Sequence, residues 1–264
     1  MKSSRMNTKF FVTTAVFVAV AIVLRSFSLA IAAGGILTMR ISFDAICYIM
    51  PGILFGPLYG GISGGLIDIL GYIIRPMGGY IPLFTITNIA AGILPALIWR
   101  YIKNTEEYKV RNCYIAFFGF LFLVGFFNFI IMKVAYDTTL GQLLASLGKK
   151  SQYFSTGLML IGAIGVIIFL INVFIKNIMV KSYDFVNNNY FKLIISIGIS
   201  GILICTINTY ILIIFTPALM AKGFMFLWVP RIAESLLMTI VNSYITCMIM
   251  YCYSLFESRV VKKA

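Results

Sequence analysis

Histidine is absent from all 264 residues of the chain. That single absence removes His-ligated metal sites and both the Ser-His-Asp and Cys-His nucleophile arrangements. No glycine-rich phosphate loop ending in Gly-Lys-Ser or Gly-Lys-Thr occurs either, so the chain cannot by itself be a P-loop ATPase. The five cysteines, Cys47, Cys113, Cys205, Cys247 and Cys252, are scattered through apolar runs without a CxxC pair. A buried free cysteine acts as a small hydrophobe, and neither metal nor cofactor is assigned to these five. Charge is scarce as well: only 11% of residues are charged.

What is there instead is apolar. The chain is 61% hydrophobic with a mean hydropathy of +1.00, far above the roughly half-apolar composition of a soluble domain. A hydrocarbon core takes about 20 mostly apolar residues per helical crossing. Candidate spans fall near residues 8 to 32, 41 to 56, 58 to 74, 83 to 102, 112 to 134, 154 to 176, 193 to 217 and 231 to 256. The expectation is an all-α integral membrane protein of about eight spans. A net charge of +13 would suggest nucleic acid in a soluble protein. Here the basic residues cluster in short loops and at the ends, where membrane orientation accounts for them. With the N-terminus inside, thirteen Lys and Arg fall on the cytoplasmic side and eight on the other, so both termini are expected inside. Basic residues, the run Phe10 to Leu24 and the small residues Ala30 and Ala32 are also the ingredients of a cleavable signal. Arg25 and further spans follow, so the run is expected to stay as span 1.

Signals are densest in the first half. In FGPLYGG, residues 55 to 61, Gly56 and Pro57 mark a tight turn between two helices. Residues 104 to 190 differ: KNTEEYKVRN and KSYDFVNNNY read as polar joints around two spans, and Asn128 and Asn172 are their main mid-span polar side chains. A spacer or scaffold is the expected role. Pro230 suits the first turn of the last span, with Arg231 and Glu234 following on that turn.

The stretch YGGISGGLIDILGY, residues 59 to 72, carries overlapping GxxxG pairs, Gly60 with Gly64 and Gly61 with Gly65, which let a neighbouring backbone approach closely. Close packing does not require Asp68. A buried carboxylate costs several kcal/mol unless it is paired or hydrogen-bonded, so Asp68 needs an arginine partner (Arg40, Arg75 or Arg231), a ligand, or a proton. The outer side of this topology gathers Arg40, Arg75, Tyr80, Asn208 and Arg231 from distant parts of the chain. Guanidinium groups take carboxylates bidentately and aromatic rings stack, so the cluster suits an anionic, partly aromatic solute. Arginines at span ends also snorkel to headgroups, the simpler reading for Arg75. In span 1, Ala15 and Ala19 form a small-residue face.

MRISFDAICYIMPGILFGPLYGGISGGLIDILGYIIRPMGGYIP, residues 39 to 82, resembles the folate-family substrate-binding subunits, or S components, of energy-coupling factor (ECF) vitamin transporters. Their pattern is an Arg-Ile-Ser-Phe start, a Pro-Gly then Phe-Gly-Pro turn, a glycine-rich helix with one Asp, and a Gly-Gly-Tyr-Ile-Pro loop. INTYIL, residues 207 to 212, and VPRIAESLLMTIVNSYI, residues 229 to 245, are similar to the family's last two helices. The resemblance covers residues 8 to 103, as S-component helices 1 to 4, and 193 to 257, as helices 5 and 6. It implies a six-helix membrane core, here with two additional helices inserted by the block 104 to 190.

The resemblance also implies a function. Such a subunit is a transport component without its own ATPase site, in a bacterial plasma membrane. It binds a vitamin, folate or a reduced folate, at the outer face, joins a membrane coupling subunit and two ATPase subunits, and tips over in the bilayer to release cargo inside. Arg40, Asp68, Tyr80 and Arg231 match motif positions near the pocket, and Ala15 and Ala19 match the face of helix 1 that meets the coupling subunit. Chemistry adds provisional roles: Asp68 for the amino and N–H edge of a pterin, Arg231 or Arg40 for glutamyl carboxylates, and Asn208 for polar ring atoms. Three other readings stay open. One is the same scaffold carrying a different vitamin. Another is an ion-coupled secondary transporter, although no second copy of the Gly-Asp segment supports an inverted repeat. The last is a membrane enzyme using Asp68 and Glu234 as acid and base.

Overall fold

The computed structural model describes residues 8–33, 36–76, 78–134, 151–175, 180–220 and 224–261. Eight of the basic residues counted for orientation, Lys2, Arg5, Lys149, Lys150, Lys176, Lys222, Lys262 and Lys263, lie outside the described residues, as does the segment 135–150. In chain order the elements are α1 (Thr8–Ser26), β1 (Leu29–Ala33), β2 (Ile36–Ile41), α2 (Ala45–Phe55), α3 (Pro57–Ile74), α4 (Pro82–Ile102) and α5 (Glu107–Val134). They continue with α6 (Ser151–Ile175), α7 (Val180–Phe215), the single turn α8 (Pro217–Met220) and α9 (Phe224–Val261). Among the described residues six helices are long and apolar enough to cross a membrane: Thr8–Ser26, Pro57–Ile74, Pro82–Ile102, Glu107–Ile131, Phe185–Phe215 and Leu227–Phe256. Two shorter apolar helices, Ala45–Phe55 and Thr156–Ile171, accompany them.

Contacts divide the chain into two compact units, Met1–Thr105 with Lys192–Ala264, and Glu106–Phe191. In the first, α1 buries Thr14, Val18 and Ala21, spaced four and three residues apart on one helical face. Val18 and Ala21 pack with Cys47 of α2 and Ile67 of α3, surrounded by Phe17, Ile22, Leu24, Tyr48 and Leu70. The opposite face of α1 is left exposed, with Phe11, Val12, Val16, Val20 and Val23 on it.

Gly56 separates α2 from α3 with φ +117°, a conformation only glycine adopts cheaply, while its N–H bonds Gly52 O at 3.0 Å and Pro57 opens α3. The glycines of α3 then meet α4 backbone to backbone. A methyl group on Gly60 would run into the Gly92 carbonyl, one on Gly64 into the Asn88 carbonyl, and one on Gly92 into the Gly60 carbonyl. Gly52 of α2 joins the same seam, where a methyl would lie 2.7 Å from Gly92 O. On the adjoining face, Gly61 and Gly65 receive the side chains of Ile93 and Ile89.

The second unit is held by α5 lying along α6. Gly162 accepts the Phe122 backbone and Gly165 the Phe118 ring. The Tyr114 hydroxyl donates to Gly165 O at 2.9 Å, and the Tyr114 ring contacts those of Phe118, Tyr190 and Phe191, the last two also touching each other.

Four expectations are corrected. Within the otherwise helical fold, span 1 ends at Ser26, and a two-stranded antiparallel hairpin, Leu29 opposite Ile41 and Ala33 opposite Ile36, replaces the rest of span 1 and the start of span 2. Two apolar runs flanking the dipeptide Gly34-Gly35 are a hairpin signal in the sequence, masked there by unbroken hydrophobicity. The second span shrinks accordingly to the 11 residues of α2. The supposed joint 181 to 190 is helical and forms the beginning of the 36-residue α7. Finally, α9 starts at Phe224, so Pro230 sits inside the helix and Arg231 and Glu234 lie beyond its first turn. Membrane helices tolerate such a proline because neighbouring groups can satisfy the freed carbonyl.

Candidate functional site

In the first unit, α1, α3 and α7 contribute residues mainly from their C-terminal halves, while α2, α4 and α9 contribute mainly from their N-terminal halves. All converge on one cavity of about 390 Å³, which is within the range of small-molecule sites. Helices that alternate in direction bring these halves to the same end of the bundle. The lining holds three arginines, Arg25, Arg40 and Arg231, and three carboxylates, Asp44, Asp68 and Glu234. Tyr48 and Phe84 supply aromatic surface, and Ser200, Asn208, Ser235, Thr239 and Asn242 supply neutral polar groups from α7 and α9.

Asp68 is 8% exposed, and three donors meet its two oxygens. The Thr85 hydroxyl donates to Oδ2 at 2.6 Å and the Asn88 amide to Oδ1 at 2.9 Å, both from α4. The Arg25 guanidinium of α1 pairs with Oδ1 at 3.5 Å and donates to Ile67 O at 3.0 Å. Its partner is therefore Arg25, not Arg40, Arg75 or Arg231. A methyl at Gly71 would come within 2.5 Å of the Arg25 side chain, so that glycine is the bed on which the arginine lies. Arg75 is turned elsewhere, donating to Ser26 O at 2.7 Å. Arg40 pairs with Asp44 at 3.2 Å, an i,i+4 contact that ties the end of β2 to the start of α2.

The five residues expected to bind substrate divide four to one. Arg40, Asp68, Asn208 and Arg231 line the cavity; Tyr80 is not among the lining residues. It reaches the cavity indirectly. Thr85 has one hydroxyl proton, which goes to Asp68, so Tyr80 donates to Thr85 Oγ1 at 2.7 Å. The Tyr80 ring also packs at 5.0 Å from that of Tyr72, steadying the loop between α3 and α4. Ala15 and Ala19 are exposed on the outer face of α1.

Sequence reasoning missed Arg25, Asn88 and Asn242. Arg25 at the end of a span reads as an interfacial anchor until α3 is folded beside it. Asn88 and Asn242 did carry a signal, being polar side chains inside apolar runs. The amide oxygens of Asn208 and Asn242 are both buried without a hydrogen-bond partner. Among the described residues no group of three or more His, Cys, Asp or Glu is placed to hold a metal ion.

Helices long and apolar enough to cross a membrane thus enclose a polar cavity of small-molecule size. The family profile described as "ECF transporter, substrate-specific component" matches residues 9–156, more than half of the chain. The chain belongs to that family, the substrate-specific components of ECF transporters. It is also 36% identical over 72 residues to a protein named folate transporter FolT of Clostridium novyi (strain NT). The matched region is 27% of this chain and 41% of that protein, so the chain spans about two fifths of the length of the curated relative it matches. No solved structure matches the chain.

Proposed function

We propose that the chain captures folate or a reduced folate at the outer face of a bacterial plasma membrane and delivers it inward together with an ECF coupling subunit and two ATPase subunits. The observation that carries this reading is the cavity, which combines three arginines with the rings of Tyr48 and Phe84 in a member of a substrate-specific family. Cationic groups suit the glutamyl carboxylates, and aromatic rings suit a planar heterocycle. Arg40 and Arg231 are the carboxylate anchors in this reading. Asn208 meets the ring, while Asp68 and Tyr80 act through the network that fixes Arg25.

Eight membrane segments with both termini inside accommodate the six long helices and the two shorter apolar ones. Residues 8 to 103 and 193 to 257 form the S-component core, and residues 104 to 190 are an inserted pair of helices. In support, the contact boundaries fall after Thr105 and before Lys192. Ala15 and Ala19 meet the coupling subunit, for which their exposure leaves them available.

Native mass spectrometry of the purified chain tests the cargo. A folate mass leaving with the protein, and calorimetric binding of folate without ATP, are the expected results. Failure with folates but capture of another vitamin would move the assignment to a different cargo on the same scaffold. Uptake that persists without the coupling and ATPase subunits would overturn the coupled mechanism.

A further inference from the structure

The cavity has two polar walls in unlike states. On the side built by α1, α3 and α4, the polar atoms are already committed to one another: Thr85, Asn88 and Arg25 all reach Asp68. A ligand N–H directed at that carboxylate would have to compete with three donors fixed by the fold. On the side built by α7 and α9, the Oδ1 atoms of Asn208 and Asn242 are buried and accept nothing, and Asn242 is only 4% exposed. A buried acceptor left without a donor is destabilising, and native proteins keep few of them outside functional positions.

Nearer the middle of the cavity wall α7 and α9 fit through small groups, with Gly201 beside Ser235 and Thr239, and Gly198 beside Thr239. Three other hydroxyls on these helices are internally satisfied, Ser196 donating to Lys192 O, Ser200 to Ser196 O and Thr239 to Ser235 O, while those of Ser243 and Thr246 on α9, also buried without a partner, do not line the cavity. Asn208 and Asn242 therefore stand out as acceptors on two different helices facing one space.

We propose that Asn208 and Asn242 are the specificity-determining residues for the ring of the cargo, accepting hydrogen bonds from its N–H donor edge. From the sequence the same edge was expected at Asp68, whose two oxygens already meet Thr85, Asn88 and Arg25. The ligand class that fits is a planar heterocycle carrying an exocyclic amino group next to a ring N–H, with an anionic tail for Arg40 or Arg231. The inference rests on the folate reading above and deepens it. A site built around two acceptors discriminates strongly against an analogue lacking the matching donors, because its own oxygens then stay unpaired.

The experiment uses the purified full-length chain with two probes, folic acid and the same molecule without its 2-amino group. Wild type is expected to bind folic acid at least tenfold more tightly than the desamino analogue. In Asn242→Leu, and in Asn208→Leu, folic acid affinity should fall at least tenfold and the preference between the two probes should shrink to less than threefold. Ligand-free melting of both variants should stay equal to wild type or rise, since an unpartnered buried oxygen has been removed. That sign separates recognition from a structural role, which would lower melting and affinity together. Equal binding of the two probes by wild type, a measurement independent of any variant, would overturn the proposal. So would variants that melt lower while keeping the wild-type preference. Wild type that binds no folate at all would instead sink the functional reading itself.

Discussion

Asp68 accepts from neutral donors on α4 and from a cation on α1, so its charge and its geometry can be tested apart. An amide in its place offers one acceptor oxygen instead of two, so Asp68→Asn strands at least one of Thr85, Asn88 and Arg25 while removing the charge opposite Arg25. Breaking one side of a buried pair costs about 3–5 kcal/mol, and the ligand-free melting temperature should drop clearly. Adding Arg25→Met to Asp68→Asn should recover part of that loss, because no buried cation is then left without its counter-charge; strict additivity of the two losses would show that the pair is not coupled. Gly71→Ala reaches the same arginine from beneath. Its methyl group displaces the Arg25 side chain, so folate affinity, measured by calorimetry, should fall.

Helix against helix, the deciding contact is the glycine seam joining α2, α3 and α4. Gly60 and Gly92 bring two backbones so close that even a methyl group meets a carbonyl rather than a movable side chain. Gly92→Ala should therefore destabilise by about 1–3 kcal/mol or more, the cost of overpacking a rigid contact, and detergent melting curves measure it. Gly119→Ala in α5, where nothing lies within 4 Å of the new methyl, should leave melting unchanged or slightly raised, since alanine is the better helix former. Equal effects at both positions would mean that the seam is not what orders this unit. The seam matters to the site because it sets how far Asp68 on α3 stands from Thr85 and Asn88 on α4.

For the whole molecule, the test concerns the face of α1 that its own unit does not bury. Replacing both Ala15 and Ala19 by Trp adds bulk there without touching the cavity. If that face meets the coupling subunit, the double variant should retain folate in native mass spectrometry but fail to co-purify with the coupling subunit and to support uptake. Normal uptake would free α1 from that role. The length and frequency of the apolar runs were enough to read a membrane protein, and Gly56-Pro57 was enough to read the α2–α3 turn. The sequence also marked Arg40, Asp68, Asn208 and Arg231, since polar groups in apolar runs stand out by composition alone. Folding was needed to show that Arg25 pairs with Asp68, that Tyr80 bonds Thr85 instead of lining the cavity, and that Asn88 and Asn242 do line it. Those facts depend on which helix faces lie side by side, and the apolar pattern of a lipid-embedded helix is nearly the same all round, so it does not say which face turns inward.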